Sequence, residues 1–226
     1  MGEMIRVEDV CYTYSSKYQQ TEVLHGITCK FESGKMYAIT GKSGSGKSTL
    51  LSLLAGLDLP TKGEITVEGQ SIRDMDRDDY RKNTVSVIYQ AFHLFPLLTN
   101  IENVMFPLQL KHMDHAAAKE QARKLLSEVE IGEEKFRKFP SMISGGEQQR
   151  VAIARALACE GKILLADEPS GNLDSVNEEN IIRHLQRVAH DKGYLVITVT
   201  HNEKVAEAAD VIFRLADGRL EEIIEK

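Results

Sequence analysis

The stretch Gly41-Lys-Ser-Gly-Ser-Gly-Lys47-Ser48 fits the pattern G-x-x-x-x-G-K-[ST], that of a loop that cradles phosphate. Gly41, Gly44 and Gly46 let the backbone bend until its N–H groups converge on phosphate oxygens. Ser43 and Ser45 lie between them. Lys47 adds a point charge near the β- and γ-phosphates, and Ser48 can offer its hydroxyl to Mg²⁺. Thr49 follows into a helix whose positive dipole end faces the same anion. A second chemical group stands at Ile163-Leu-Leu-Ala-Asp167-Glu168. An apolar strand there delivers Asp167 to its carboxyl end, where a carboxylate supports a metal shell. Glu168, pointing elsewhere, is placed to orient an attacking water or take its proton.

These groups need a scaffold that holds a loop and a strand end side by side. Met4 to Tyr37 reads as β structure, with Val23–Phe31 mixing apolar and polar residues at short period. Lys35–Thr40 reads as a strand entering the glycine loop, and Lys47–Ala55 as the helix leaving it. Glu64–Gly69 and Val85–Tyr89 have strand length. The charged run Arg73–Lys82 reads as a helix with a solvated face. From Thr99 to Ala158 the pattern is helical; Ala116–Val129 carries Leu125, Leu126 and Val129 on one side. Gly145–Cys159 forms the last helix of this group. Lys162–Ala166 (strand), Ser175–Ala189 (helix) and Tyr194–Thr200 (strand) resume the alternation. Ser175-Val-Asn-Glu178 has the form of a capping box, and Gly193 of a helix stop. Val211–Leu215 and Leu220–Ile223, joined through Asp217-Gly218, read as a closing hairpin. Strands alternating with helices predict an α/β fold with a mainly parallel sheet. One domain over 1–226 is expected, with a core of 1–90 and 160–226 and a helical insertion over 91–159.

Bulk properties narrow the class. The 226 residues suffice for one α/β domain. The formal net charge of −6 argues against a general nucleic-acid binder. Cys11, Cys29 and Cys159 show no metal spacing and read as reduced thiols. The N-terminus has no signal-peptide core, and no apolar run approaches the about 20 residues of a membrane helix. A role at a membrane therefore requires another chain to supply the span.

Ile143-Ser144-Gly145-Gly146-Glu147-Gln148, upstream of Asp167, resembles the L-S-G-G-Q signature of ABC ATPases. The resemblance covers essentially the whole chain. It implies a P-loop NTPase core with an N-terminal antiparallel β region and a helical, signature-bearing subdomain. It also implies ATP and Mg²⁺ as ligands, and a head-to-tail homodimer when ATP is bound. On this resemblance Tyr14 stacks on adenine, with Tyr12 as a rival for that place. Gln90 senses Mg²⁺ beside Ser48 and Asp167. Ser144, Gly145 and Gly146 face the partner's nucleotide, and Asp174 crosses the interface. Glu168, Lys47 and His201 carry catalysis, His201 through the γ-phosphate. Ser144-Gly-Gly-Glu147 is in its own right a capping box that starts a helix, and both roles can hold at once.

Two residues depart from the signature: Ile143 stands for leucine and Glu147 for glutamine. Glu147 keeps the capping role but adds charge near the partner's nucleotide. Gly171-Asn-Leu-Asp174, Thr21–Gly26 and Leu98–Val104 resemble the ABC ATPases of lipoprotein-release, macrolide-export and antimicrobial-peptide-resistance systems. The resemblance implies a separate transmembrane permease, peripheral attachment to the inner face of the membrane, and export or extraction of a hydrophobic or peptide substrate. An ATPase driving a non-transporting membrane regulator is the alternative; a flux assay separates the two. The apolar run Phe92–Leu98, with Phe92, Phe95 and Leu97, is the candidate contact for the permease. No regulatory domain is expected after the hairpin.

Overall fold

The computed structural model describes residues 2–16, 19–171 and 174–225. Apolar runs without alternation become strands covered on both faces. These are β3 (Met36–Thr40), β7 (Ile163–Asp167) and β8 (Leu195–Thr200), the last buried at every residue. With β6 (Val85–Ile88), β9 (Val211–Ala216) and β10 (Arg219–Glu225) they form a six-stranded sheet in the order β10-β9-β3-β8-β7-β6. Its pairings are parallel except β9 with β10. The β9–β10 turn uses Asp217 and Gly218 at φ 47° and 70°, the left-handed pair a tight hairpin requires.

The N-terminal half builds a second, antiparallel sheet. β1 (Glu3–Ser15), β2 (Gln20–Glu32), β4 (Lys62–Val67) and β5 (Gln70–Ser71) lie in the order β2-β1-β4-β5. The period of two in the central strands divides their side chains between two cores. Tyr37, Ile39, Leu165 and Ile197 face α1 (Lys47–Leu54) and the antiparallel sheet. Met36, Ala38, Leu164 and Val196 face the helices inserted between β6 and β7 and the helix after β7. The inserted helices are α3 (Asn100–Leu110), α4 (His115–Glu128) and α5 (Gly145–Ala158), with short 3₁₀ turns at Glu133–Lys135 and Pro140–Met142.

Capping residues mark the starts of these helices. Thr99 and Glu102 close a capping box on α3, and Ser144 and Glu147 do so on α5, as their spacing predicts. The box expected at Ser175–Glu178 does not form. Asp174 is the N-cap of α6 (Ser175–His190): its carboxylate accepts from Asn177 N at 2.9 Å, which makes Ser175 the first helical residue. Glu178 instead accepts from Asn202 Nδ2 and Lys204 Nζ at the start of α7 (Glu203–Glu207). The charged run also differs from expectation. Its helix α2 spans Arg77–Asn83, with Tyr80 buried and donating to Leu54 O at 2.9 Å. Arg81 donates to Gly56 O at 2.6 Å, so this face packs on the loop after α1 and is only partly solvated.

Candidate functional site

The end of β3 delivers the chain into the glycine loop, and the loop ends as the N-cap of α1. Gly46 holds that cap at φ 103°, a conformation that side chains with a Cβ rarely adopt. A Cβ there would also lie 2.8 Å from Leu24 Cδ2. No side chain caps α1 and no acidic residue stands in its first turn. Its leading N–H groups are thus left for an anion. Lys47 Nζ donates to the carbonyls of Gly41 and Lys42 at 2.9 and 3.0 Å, contacts that orient its charge without neutralising it. Ser45 Oγ is buried and has no hydrogen-bond partner among the described residues. Donors without protein acceptors, beside an uncancelled cation, fit a polyphosphate.

Asp167 and Glu168 reach the same place from β7. Burial holds the Asp167 carboxyl above the ordinary aspartate range, and the adjacent Glu168 charge adds to this. The Ser48 hydrogen bond and the Lys47 charge oppose it. Glu168 adopts φ 47°, unusual for a residue with a side chain, and such strain marks positions that the surrounding structure over-determines. Its N–H donates to Val199 O at 2.9 Å, and its own carbonyl accepts from Gly171 N at 3.1 Å. The carboxylate meets His201: Oε1 lies 2.7 Å from Nδ1, and Oε2 accepts from His201 N at 3.3 Å and Thr200 Oγ1 at 3.2 Å. The partly buried Glu168 and exposed His201 thus form one unit at the ends of β7 and β8.

A cleft of about 730 Å³ gathers most of the expected groups. Ser43, Gly44, Gly46, Lys47, Ser48 and Thr49 form its floor, and Gln90, Asp167, Glu168 and His201 one wall. Tyr14 and Val23 form the other. Tyr14 is 51% exposed and its hydroxyl lies 3.1 Å from Thr49 Oγ1. Tyr12 is buried, bonded to Asp58, and meets the Tyr14 ring edge-on at 4.9 Å. Of the two tyrosines only Tyr14 offers a ring to the cleft. Gly41 and Ser45 line an adjoining cavity that shares Ser43, Gly44 and His201.

Ser144, Gly145, Gly146 and Asp174 do not line this cleft. They converge with one another elsewhere. Asn177 accepts from Arg150 Nη1 at 3.2 Å and donates through Nδ2 to Asp174 at 2.8 Å. A Cβ on Gly146 would lie 2.4 Å from Asn177 Oδ1, so the glycine admits α6 as well as any ligand. Asn172 and Leu173, in the stretch used for the subgroup resemblance, lie outside the described residues.

Among the described residues no three His, Cys, Asp or Glu are grouped so as to hold a metal. The donor set of Asp167, Ser48 and Gln90 instead suits Mg²⁺, which keeps waters and takes substrate phosphate as ligand.

Several contributors went unrecognised in the sequence. Val23 is an ordinary strand residue there. Arg155, lone among apolar residues of α5, donates to Phe92 O at 3.0 Å and His93 O at 2.6 Å, tying the segment after Gln90 to the signature helix. An arginine inside an alanine-rich helix was the available signal. Asn177 offered none.

The chain matches the ABC transporter family model over residues 24–171. It is 40% identical over 220 residues to the lipoprotein-releasing system ATP-binding protein LolD of Syntrophotalea carbinolica, covering 96% of each chain. It is also 40% identical to the macrolide export ATP-binding/permease protein MacB of Brucella melitensis, over 96% of this chain but 34% of that longer protein. Among solved structures it resembles the dimeric post-hydrolysis state of the ATP-binding cassette MJ0796 bound to ADP and Pi. That match has a TM-score of 0.89 at 35% identity and covers 99% of this chain and 100% of the other. With the phosphate loop, the Asp167–Glu168 strand end and the signature helix in this arrangement, the chain belongs to the ABC transporter family, as one of its ATP-hydrolysing, ATP-binding subunits.

Proposed function

We propose that two copies of this chain close head to tail over two molecules of Mg·ATP, and that closure and reopening drive a separate membrane permease. The observation that carries this is the division of the site. Lys47, Ser48, Asp167, Glu168 and His201 share one cleft, whereas Ser144–Gly146 and Asp174 stand outside it. A second copy supplies the missing half, and the dimeric cassette structures similar to this chain support that arrangement. Tyr14 stacks on the base. Lys47 and the amides of α1 hold the β- and γ-phosphates. Ser48, Gln90 and Asp167 would hold Mg²⁺, which would supply positive charge against the phosphates when bound. Glu168 accepts the proton of the attacking water, its carboxylate oriented by Thr200 and by His201 Nδ1. With Nδ1 turned to Glu168, the other ring nitrogen of His201, Nε2, is left for the γ-phosphate. Loss of the γ-phosphate removes the bridge between copies, a population shift driven by differential affinity for ATP and its products.

Residues 91–159 then move as the helical unit that carries the signature. The relatives are named for lipoprotein release and macrolide export, which supports export or extraction of a hydrophobic or peptide substrate. Among the described residues no helix is long and apolar enough to cross a membrane, so attachment falls to the permease.

Complementation tests the shared site. Ser144→Arg and Lys47→Ala each inactivate a homodimer, but a mixture contains dimers with one intact composite site. Recovery of ATPase activity on mixing is the expected result. Failure at every ratio, with both variants folded and pairing, would overturn it.

A further inference from the structure

Glu147 stands where the L-S-G-G-Q pattern has glutamine, and the fold places Lys135 against it. Glu147 is the third residue of α5. Its Oε2 accepts from Ser144 N at 2.9 Å, and its N–H donates to Ser144 Oγ at 3.3 Å. The carboxylate therefore stands in the first turn of the helix whose N–H groups, on the reading above, face the partner copy's γ-phosphate. An anion there satisfies the cap but competes with the phosphate for the same positive dipole end. Lys135, from the 3₁₀ turn before the signature, brings Nζ to 2.5 Å from Glu147 Oε1. One carboxylate oxygen thus serves the cap and the other an ammonium. Both side chains are partly sheltered, at 32% and 16% exposure, where screening is weaker than at the open surface.

The turn that presents Lys135 is itself fixed. Asn100 Nδ2 donates to Lys135 O at 2.9 Å, and Ile101 N to Phe136 O at 2.9 Å, so the start of α3 holds the 3₁₀ turn against α5. Phe136 is buried in the helical core. Packing thus fixes the backbone that carries the lysine and aims its side chain at Glu147. Lys135 also lies 3.8 Å from Glu134, but that glutamate is largely exposed and offers a looser contact.

We propose that Lys135 is a positioning residue of the composite ATP site: it cancels the charge of Glu147, so that a signature bearing glutamate still accepts the partner copy's γ-phosphate. The inference rests on the head-to-tail reading of Ser144–Gly146. Lys135 touches no nucleotide; it acts through Glu147.

A charge cycle tests it in the full-length chain. Lys135→Met keeps the aliphatic stem and removes the ammonium. One uncompensated charge at a helix N-terminus corresponds to about two- to fivefold in affinity per composite site. With two sites per dimer, ATP-driven dimerisation should weaken roughly tenfold. The readout is sedimentation of Glu168→Gln chains with ATP, with and without Lys135→Met, beside nucleotide binding by the monomer. Monomer binding should not change. Glu147→Gln, which keeps a cap acceptor without charge, should restore dimerisation in the Lys135→Met background and, alone, leave it undiminished or tighter, since the Lys135 ammonium is then unopposed. Raised salt should narrow the Lys135→Met deficit. Undiminished dimerisation in Lys135→Met, or a double variant as weak as Lys135→Met alone, overturns the proposal. If Glu168→Gln chains never pair with ATP, or Ser144→Arg retains full turnover, the head-to-tail reading itself has failed.

Discussion

Glu168 shows how a residue legible by type gains its role from a conformation that the sequence does not announce. The apolar run before it predicts a strand, and the acid pair predicts metal and water chemistry. Its φ of 47° follows from bonds at both ends, to Val199 across the sheet and from Gly171 beyond it. The amide of Glu168→Gln keeps the geometry but accepts no proton. Turnover should fall by at least about 10²-fold with ATP binding retained, measured by phosphate release and by equilibrium nucleotide binding. Tyr12 and Tyr14 mark a limit of the same kind. They share a parity in β1, yet one is buried and one exposed. Their rings still meet edge-on at 4.9 Å; the exposure differs because Tyr14 stands one residue from the end of β1, beyond the register shifts around Tyr12.

At the scale of the element, caps decide where helices begin. The box on α3 was not picked out in the sequence, whereas Ser144–Glu147 was. The Thr99 hydroxyl, and then its backbone amide, hold the Glu102 carboxyl below the ordinary glutamate value. A depressed folded value means that this contribution is fully present above about pH 4.5 and lost as pH falls through the folded value. Thr99→Ala should therefore cost about 1 kcal/mol near neutral pH, and the gap from the parent chain should narrow in acid, keeping the part due to the cap on Glu102 N–H. Urea unfolding at several pH values reads this directly. A gap independent of pH would assign the loss to the hydroxyl alone. The misassigned cap at α6 arose because Asp174 and Ser175 are both good caps, and only the chain's entry angle chooses between them. Packing explains Gly146 better than sequence did. Gly146→Ala should destabilise by about 1–3 kcal/mol through contact with Asn177, and Asn177→Ala in the same chain should return part of that loss. Equal effects of Gly146→Ala in both backgrounds would remove Asn177 from the explanation.

For the whole molecule, the parallel core was legible because strands covered on both faces carry unbroken apolar runs. Their order was not. β3 sits between β8 and β9, and nothing local in the sequence encodes that neighbour choice. The surface expected to meet the proposed permease depends on the same assembly. Phe95 and Leu97 are 41% and 87% exposed, so neither belongs to the core. Phe95 packs on Phe106 at 4.8 Å between ring centroids, with the Arg155 guanidinium 5.9 Å above its ring. Leu57, Phe106 and Leu110 continue an apolar groove of about 290 Å³ beside it. Arg155 joins this groove to the carbonyls of Phe92 and His93, next to Gln90 in the ATP cleft. A partner seated in the groove would therefore press on a segment that leads directly to the nucleotide. Leu97→Glu removes apolar contact at a position with little fold to lose. It should abolish co-purification of the proposed permease with the chain from native membranes. ATPase activity and the unfolding midpoint of the isolated subunit should be unchanged. Phe95→Glu should do the same with a cost in stability of about 1 kcal/mol or more, because its aromatic partners lose their contact. Both assays belong on one preparation. Full partner binding by Leu97→Glu would move the docking surface elsewhere, and lost folding in both variants would return the segment to the core.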